Sequence, residues 1–557
     1  HRDLHSFPTR RSSDLLGAVV ATAGVARAQS VEEERFFIDK EDEDEDKTLW
    51  QGSLTSTSFI FRESGGQSTA LVAGGATVPN ASPFNRLFTE LRAQIDGRHV
   101  KGGRWDLRAD GRARAVNGDL INDALGIDRG DPNRIQSGQF GENEYEVREL
   151  YLVRGGRRTD LFLGRQVIGD LAAVKIDGIR LDYAKSARWT YLGFVGAYPL
   201  RGSRSVLTDY PRGVDATNSD TGRVVPVAGG FGGAYRTSRT YGAIGGVAIV
   251  PTSKDTRTGT FEKPRVFVTT NGYARRSPKL DLYHYVVVDV TGSAGFALTN
   301  LTLGVQYKPS MRLRTNLSVN RIDTEAFEQQ VANQLENVGN TIDGGVINNA
   351  EVQRIAADSV RGTVSGAFGR INRFELTTGL SARRRPEVRL AASADPNNPI
   401  MDKTLPEAKA IELIVQAVDR RFLGDIRLDL SFIRGVGLGQ ASYARSTSQI
   451  IRLGGAKDLK DGKAEVQGDV AIVSTADDNA GAVCAPGQVD TCYGSANTSA
   501  VQGSVVGYYR FKKDWFGAAS ASVGLQKITI TDPMAMTGVP QSSIINSSLF
   551  LRVGYRF

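Results

Sequence analysis

The chain has 557 residues, 69 Lys and Arg against 61 Asp and Glu, a net charge of +8 and a mean hydropathy of −0.26. That length exceeds one small domain, and so modest a charge gives no ground for nucleic-acid binding. No apolar run reaches the ~20 residues that a membrane-spanning helix needs, which excludes a helical membrane protein.

Residues 1–14, HRDLHSFPTRRSSD, do not begin with Met and fit nothing downstream, so they read as a non-native remnant. The apolar run LLGAVVATAGVA at 15–26 follows Arg10 and Arg11 and precedes small residues at Ala26 and Ala28. This predicts a secretory signal peptide over 15–28, with a buried helix as the bland alternative. Within 29–48, the tract 31–47 holds ten acids and three bases. Such charge density cannot bury enough apolar surface to offset ordering, so an acidic disordered periplasmic segment is expected. Residues 48–557 then carry 62 bases against 49 acids, a balance of +13. An acidic tail beside a basic lumen would be drawn to its mouth, an attraction screened by salt.

From Leu49 to Phe557 the dominant signal is alternation with period two. Trp105, Leu107, Ala109, Ala113 and Ala115 alternate with Arg104, Asp106, Arg108, Asp110, Arg112 and Arg114. Met311, Leu313, Leu317 and Val319 stand opposite Arg312, Arg314, Asn316, Ser318 and Asn320. Segmentation gives 22 strands, within a range of 18–24, joined alternately by short basic turns and by connections that are mostly longer. A soluble sandwich has no reason to keep that alternation, whereas a membrane barrel has tight turns at one rim and long loops at the other. The fold class expected for 49–557 is therefore all-β, a transmembrane antiparallel β-barrel. Three places strain the pattern: the Gly-rich 224–250, a very short turn near 434–439 that makes GVGLGQ a tight hairpin, and Glu149, which faces lipid unless a bulge intervenes.

Aromatics flank the short turns. Trp50, Trp105, Trp189 and Trp515 open strands there, while Tyr151, Tyr183, Tyr235, Tyr273, Tyr307, Phe368, Phe511 and Phe557 close them. This reads as an aromatic girdle at the periplasmic interface, where a ring buries its body and keeps its polar edge wet. Basic turns beside it would meet anionic head groups.

The opposite set of positions carries Arg104, Arg108, Arg112, Arg114, Arg148, Arg180, Arg312, Arg314, Arg361, Arg373, Arg383 and Arg427, interleaved with Asp106, Asp110, Asp182, Glu375 and Asp429. Two readings stay open: a self-neutralising ladder of cross-strand pairs, or an anion-favouring pore lining. The segment 323–339 has helical spacing, and the acids Asp323, Glu325, Glu328, Glu336 and Asp343 make this loop a candidate constriction facing the basic wall. Cys484 and Cys492 are the two cysteines, and their closeness in a turn-rich loop of a secreted chain predicts one disulfide.

Enzyme chemistry has little support: His99 and His284 are far apart, and no nucleophile elbow, phosphate loop or metal-spaced cluster occurs. No cofactor or metal is expected. The secretion signal, dyad strands, alternating loops and terminal GYRF together resemble Gram-negative outer-membrane β-barrel proteins of the porin-like kind. The resemblance implies an outer-membrane location, lipid contacts, and reading of the C-terminal strand by the barrel-assembly machinery. The expected function is a channel for passive passage of small hydrophilic, anionic included, solutes. The alternative is a structural or surface-display barrel, or the membrane sheath of an envelope complex, with loops 117–142, 199–223 and 476–498 as contact surfaces.

Overall fold

The structure is a computed structural model that describes residues 48–65, 84–118, 144–199, 225–251, 264–291, 295–323, 356–386, 407–439 (except 424), 445–459, 462–478, 496–530 (except 513) and 542–557, with residue 210 and four short hairpins in the longer connections. Twenty-two strands form one sheet. They are β1 (Leu49–Gly65), β2 (Phe84–Arg98), β3 (Trp105–Gly118), β4 (Glu144–Arg154), β5 (Thr159–Ile168), β6 (Val174–Ala184), β7 (Trp189–Ala197), β8 (Val227–Arg236), β9 (Thr240–Val250), β10 (Arg265–Ser277) and β11 (Leu280–Thr291). The second half comprises β12 (Ala297–Ser310), β13 (Leu313–Asp323), β14 (Ala356–Phe368), β15 (Phe374–Arg385), β16 (Ala408–Phe422), β17 (Ile426–Gly439), β18 (Arg445–Leu459), β19 (Ala464–Asp478), β20 (Ala496–Arg510), β21 (Trp515–Ile530) and β22 (Ser542–Arg556). Each expected strand has its counterpart here.

Successive strands pair antiparallel, and β22 pairs with β1 from Ser53↔Arg556 to Gly65↔Ile544, so the sheet closes without an edge. The closure extends to the last residue: the Gly52 N–H donates to the Phe557 carbonyl at 3.0 Å and the Phe557 N–H to the Gly52 carbonyl at 3.1 Å. Closure leaves neither end strand of the sheet without a neighbour, which is what lets a β-structure cross a bilayer.

Alternation sorts the two faces. Leu91, Phe231, Ile244, Val523 and Leu551 point outward and stay exposed, up to 76% for Phe231. An apolar band that wide on an outer surface is the mark of a lipid-facing wall. At the tight-turn rim of that face, Trp189 meets Tyr235 and Trp515 meets Tyr555, each at 4.9 Å between ring centroids. Phe557 follows at 6.0 Å from Tyr555, and Trp50 covers Gly97. Trp105, Tyr183 and Tyr307 also share the outward set, Trp105 lying 5.9 Å from the Arg154 guanidinium.

Two aromatics depart from the expected girdle. Tyr273 pairs with the inward Tyr241, and Tyr151 pairs with the inward Arg108, so both face the lumen. For Tyr151 the cause is the bulge that the charge pattern demands. Pairing of β3 with β4 shifts between Asp110↔Glu149 and Gly111↔Val147, with Arg148 as the extra residue. The shift turns Glu149 inward, where its carboxylate accepts from Arg108 Nε at 2.6 Å. The segment GVGLGQ is also not a hairpin turn: Gly435 to Gly439 lie within β17, and β18 begins at Arg445. The expected disulfide at Cys484 and Cys492, the signal peptide and the acidic tract 31–47 lie outside the described residues.

The wall has one irregular sector. Pairing of β4 with β5 stops at Leu150↔Arg165, and pairing of β6 with β7 stops at Asp177↔Ala197. Yet β5 and β6 continue together to Ile168↔Val174. The tip of this hairpin, 166–176, is therefore paired only with itself and bends off the wall. The bend sits at the cross-strand pair Gly164↔Gly178. Gly164 has φ 125°, and a Cβ on either glycine would run into the neighbouring backbone, at Leu150 and Val195 respectively. Only glycine fits such a close approach with that φ. Gly164→Ala is expected to lower stability by about 1–3 kcal/mol, read as a fall in the urea midpoint of the folded barrel; an unchanged midpoint would mean that the bend tolerates a Cβ.

Candidate functional site

The bent hairpin turns into the barrel. Ile168, Leu171, Val174 and Ile176 pack with Leu192, Phe194, Ala228, Val247, Ile249, Phe267 and Val287 in one buried cluster on the inner face of β7–β11. This sector can accept the tip of the arm because two glycines leave it without side chains at the point where Leu171 arrives. Leu171 lies in the space that Cβ atoms at Gly232 and Gly245 would need, so the Gly-rich run of β8 and β9 is a seat for the arm. Burying a side chain such as Leu171 contributes roughly 1.5–3 kcal/mol. Burial of Leu171 with Ile168, Val174 and Ile176 offsets the two left-handed alanines of the turn, Ala172 (φ 57°) and Ala173 (φ 53°), which cost about 1–2 kcal/mol each.

A polar clasp fixes the turn. Asp170, 1% exposed, accepts from Arg236 Nη2 at 2.7 and 2.9 Å and from the Tyr241 hydroxyl at 2.6 Å, with Arg180 Nη2 at 3.5 Å. Asn271 Nδ2 donates to the Gly169 carbonyl at 3.0 Å. Arg180 is itself held bidentately by Asp182, at 2.8 Å for both bonds. On the wall side of the bend, Arg165 grips Asp177 at 2.6 and 2.5 Å and donates to the Val147 carbonyl at 3.1 Å, while the Tyr210 hydroxyl donates to Asp177 at 2.6 Å. Burial by itself would raise the Asp170 carboxyl, but Arg236, Arg180 and the Tyr241 hydroxyl outweigh it, and its pKa lies below the ordinary value.

The twelve arginines expected in the lumen divide into four groups. Arg104, Arg312 and Arg373 sit in the tight turns at the rim, not on the wall; Arg373 is bound to Asp419 at 2.9 and 2.7 Å. Arg108, Arg112, Arg114, Arg180, Arg383 and Arg427 face inward and are paired. Arg108 bonds Glu149, Arg112 reaches Glu90 and Glu146, Arg114 reaches Glu90 at 2.6 Å, Arg383 reaches Glu412 at 3.8 Å, and Arg427 reaches Asp429 at 3.0 Å. Arg92, which the alternation also turns inward, adds a bidentate bond to Asp110. Arg148, the bulge residue, approaches Glu146 at 3.6 Å. Arg314 and Arg361 face inward and are exposed, and no carboxylate lies within ion-pair distance of either among the described residues. Most of these twelve thus belong to a cross-strand ladder, and Arg314 and Arg361 are the two of them left open among the described residues.

Of the expected constriction loop, Asp323 ends β13 as a buried residue, and Glu325, Glu328, Glu336 and Asp343 lie outside the described residues. The inward-folded segment that the structure does show, at 166–176, reads in sequence as an ordinary connection. Its signals were there in the paired glycines and in the apolar inner positions Leu192, Phe194, Val247 and Phe267, which a water-filled wall does not need. Among the described residues, no group of His, Cys, Asp or Glu is placed to hold a metal ion.

Asp170 gives the clasp a pH dependence with a definite sign. A depressed native pKa contributes stability above the ordinary value of 3.8, and that contribution is lost as pH falls through the native value. The arm is expected to stay seated from neutral pH down to the ordinary value of 3.8 and to loosen as pH falls from there toward the lower native value. Asp170→Ala, which takes the carboxylate from the Arg236 guanidinium while Arg180 keeps Asp182, should cost about 3–5 kcal/mol and expose 166–176 to added protease at neutral pH. Unaltered protection in both experiments would show that apolar packing alone holds the arm.

No family model matches the sequence, and no curated protein matches it. Solved structures similar to this chain include OccAB1 of Acinetobacter baumannii, at 10% identity over 93% of this chain and 100% of that one, TM-score 0.37. OpdQ of Pseudomonas aeruginosa matches at 9% identity over 91% and 98%, TM-score 0.32. OmpT of Vibrio cholerae matches at 11% identity over 58% and 100%, TM-score 0.28. At such identities and scores, no function passes from these proteins to this chain. By its own geometry, an even number of antiparallel strands closed on themselves with an apolar outside and a charged inside, the chain has the architecture of outer-membrane β-barrel proteins.

Proposed function

We propose that the protein is an outer-membrane channel of a Gram-negative bacterium for passive passage of small hydrophilic solutes, its bore narrowed by the arm 166–176. The observation that carries this reading is the arm itself. A barrel that serves only as a scaffold or for display has no use for a hairpin that leaves the wall at Gly164↔Gly178 and is clasped inside by Asp170. A channel does, because an arm of fixed position sets the solute size without closing the sheet differently.

A mild anion preference fits the lining. Paired guanidiniums such as Arg108 and Arg112 have their charge answered on the wall. Arg314 and Arg361 do not, so they carry the selective charge in this reading. No catalytic role is proposed. The outward aromatic rim and apolar band would contact outer-membrane lipids, and the C-terminal strand β22 ending at Phe557 would present itself to the barrel-assembly machinery. The structural or display alternative keeps the same barrel and predicts no conductance.

The refolded chain in a planar bilayer should show steady single-channel steps with anion preference. Arg314→Glu together with Arg361→Glu should move the reversal potential toward cations, with an anion-to-cation permeability ratio lowered about twofold or more. Arg108→Glu would be a poor probe, because it sets two carboxylates together and disturbs the wall. A silent barrel would favour the alternative, and an unmoved reversal potential would remove Arg314 and Arg361 from the selectivity.

A further inference from the structure

We infer that the inner wall at β9–β12 carries a subsite for a neutral polyhydroxylated solute, of the mono- or disaccharide class, built on Tyr273 and Tyr283. The inference goes beyond the channel reading and rests on that reading only for how the solute arrives. Tyr241, Tyr273 and Tyr283 are consecutive cross-strand partners on β9, β10 and β11, so three rings stand side by side on the lumen face. Their roles differ. Tyr241 is buried and spends its hydroxyl on Asp170. Tyr273 and Tyr283 are 40% and 37% exposed on the inner face, and among the described residues neither hydroxyl has a hydrogen-bond partner.

Large aromatic faces left open to water inside a polar channel have no packing reason to be there. The Tyr283 ring is held flat: it occupies the space that a Cβ at Gly304, its partner on β12, would need. Shielding a glycine backbone accounts for where that ring lies. It does not account for the neighbouring ring of Tyr273, which packs at 5.9 Å on Tyr241 and covers no glycine. Together the rings form a platform that leads away from the clasp of the arm.

Beside the platform stands a fixed polar cluster. Asp281, next on the inward set of β11, accepts from Arg275 Nε at 3.0 Å and from Lys308 Nζ at 3.1 Å, and it pairs across the strands with Gln306. A carboxylate held between two cations offers acceptors and donors side by side with its charge largely answered. Such a cluster offers hydroxyl groups both kinds of partner, and its net charge of one cation makes a small anion the competitor that the test includes. A flat ring face beside convergent hydroxyl-binding groups matches a pyranose, whose C–H faces stack on aromatic rings while its rim hydroxyls take hydrogen bonds.

The test is calorimetric titration of the full folded chain with maltose, in a detergent without a sugar head group, with succinate as a charged control of similar size. The expected result is maltose binding in the millimolar range, weakened about tenfold or more by Tyr273→Ala and by Tyr283→Ala and kept by Tyr283→Phe. Folding of each variant is checked by its heat-dependent gel shift. If Tyr283→Ala fails to fold, Tyr273→Ala decides the matter, because its ring covers no glycine. Absence of maltose binding by the folded wild type, binding that both alanine variants retain, or stronger binding of succinate would each overturn the inference. The channel reading is tested separately: a barrel that binds maltose but does not conduct overturns the channel alone, and one that conducts but does not bind overturns the subsite alone.

Discussion

The rest of the structure depends on the requirement that every backbone N–H and C=O of the sheet find a partner within the sheet. In hydrocarbon an unpaired amide costs several kcal/mol, so a β-structure that crosses a bilayer has to close. Here the closure is made by β22 on β1 and is completed by Phe557 itself, which exchanges both backbone hydrogen bonds with Gly52. Once the sheet is closed, the dyad repeat decides almost everything else. One set of side chains meets lipid, the other meets the lumen, and a shift of one residue exchanges them. The bulge at Arg148 is the clearest consequence: without it Glu149 would stand in the apolar band, and with it Glu149 completes an ion pair with Arg108.

The same requirement explains the ladder of charges. A polar lining of guanidiniums without partners would repel itself. Instead the inner wall at β2–β4 sets Arg92 on Asp110, Arg108 on Glu149, Arg114 on Glu90 and Arg112 between Glu90 and Glu146. These pairs are partly buried and hydrogen-bonded, a setting in which loss of one partner matters more than the pair's own net contribution. Their work is to stiffen the wall that flanks the irregular sector. The charge that remains open to a passing ion is confined to a few positions, among which are Arg314 and Arg361.

The irregular sector works by the opposite device, removal of side chains. Glycines at 164 and 178 let the hairpin leave the wall, and glycines at 232 and 245 make room for Leu171 where it arrives. Apolar packing supplies the seat and Asp170 supplies the direction, since a buried carboxylate between Arg236, Arg180 and Tyr241 has few other places to go. The tyrosines that continue from Tyr241 along β10 and β11 then line the path beside the arm.

Much of the fold was legible because it follows from local period. Alternation in stretches such as RWDLRADGRARAV marks a strand and both its faces at once, and loop lengths mark which rim each strand reaches. Strand number, strand order and the outward placement of Trp50, Trp105, Trp189 and Trp515 all rest on that period. So did the demand for a bulge near Glu149, since a lone carboxylate in an apolar series is a contradiction that only a register shift removes. GVGLGQ misled because glycines that signal a turn in isolation also lie within a strand when its neighbours supply the pairing. What the tertiary structure alone decided is which contacts form across the lumen. Asp170 meets Arg236 and Tyr241 at separations of 66 and 71 residues, and Tyr273 joins the lumen face because its partner is Tyr241. No local period encodes a meeting of that kind, since it depends on the closed sheet bringing distant strands to one interior.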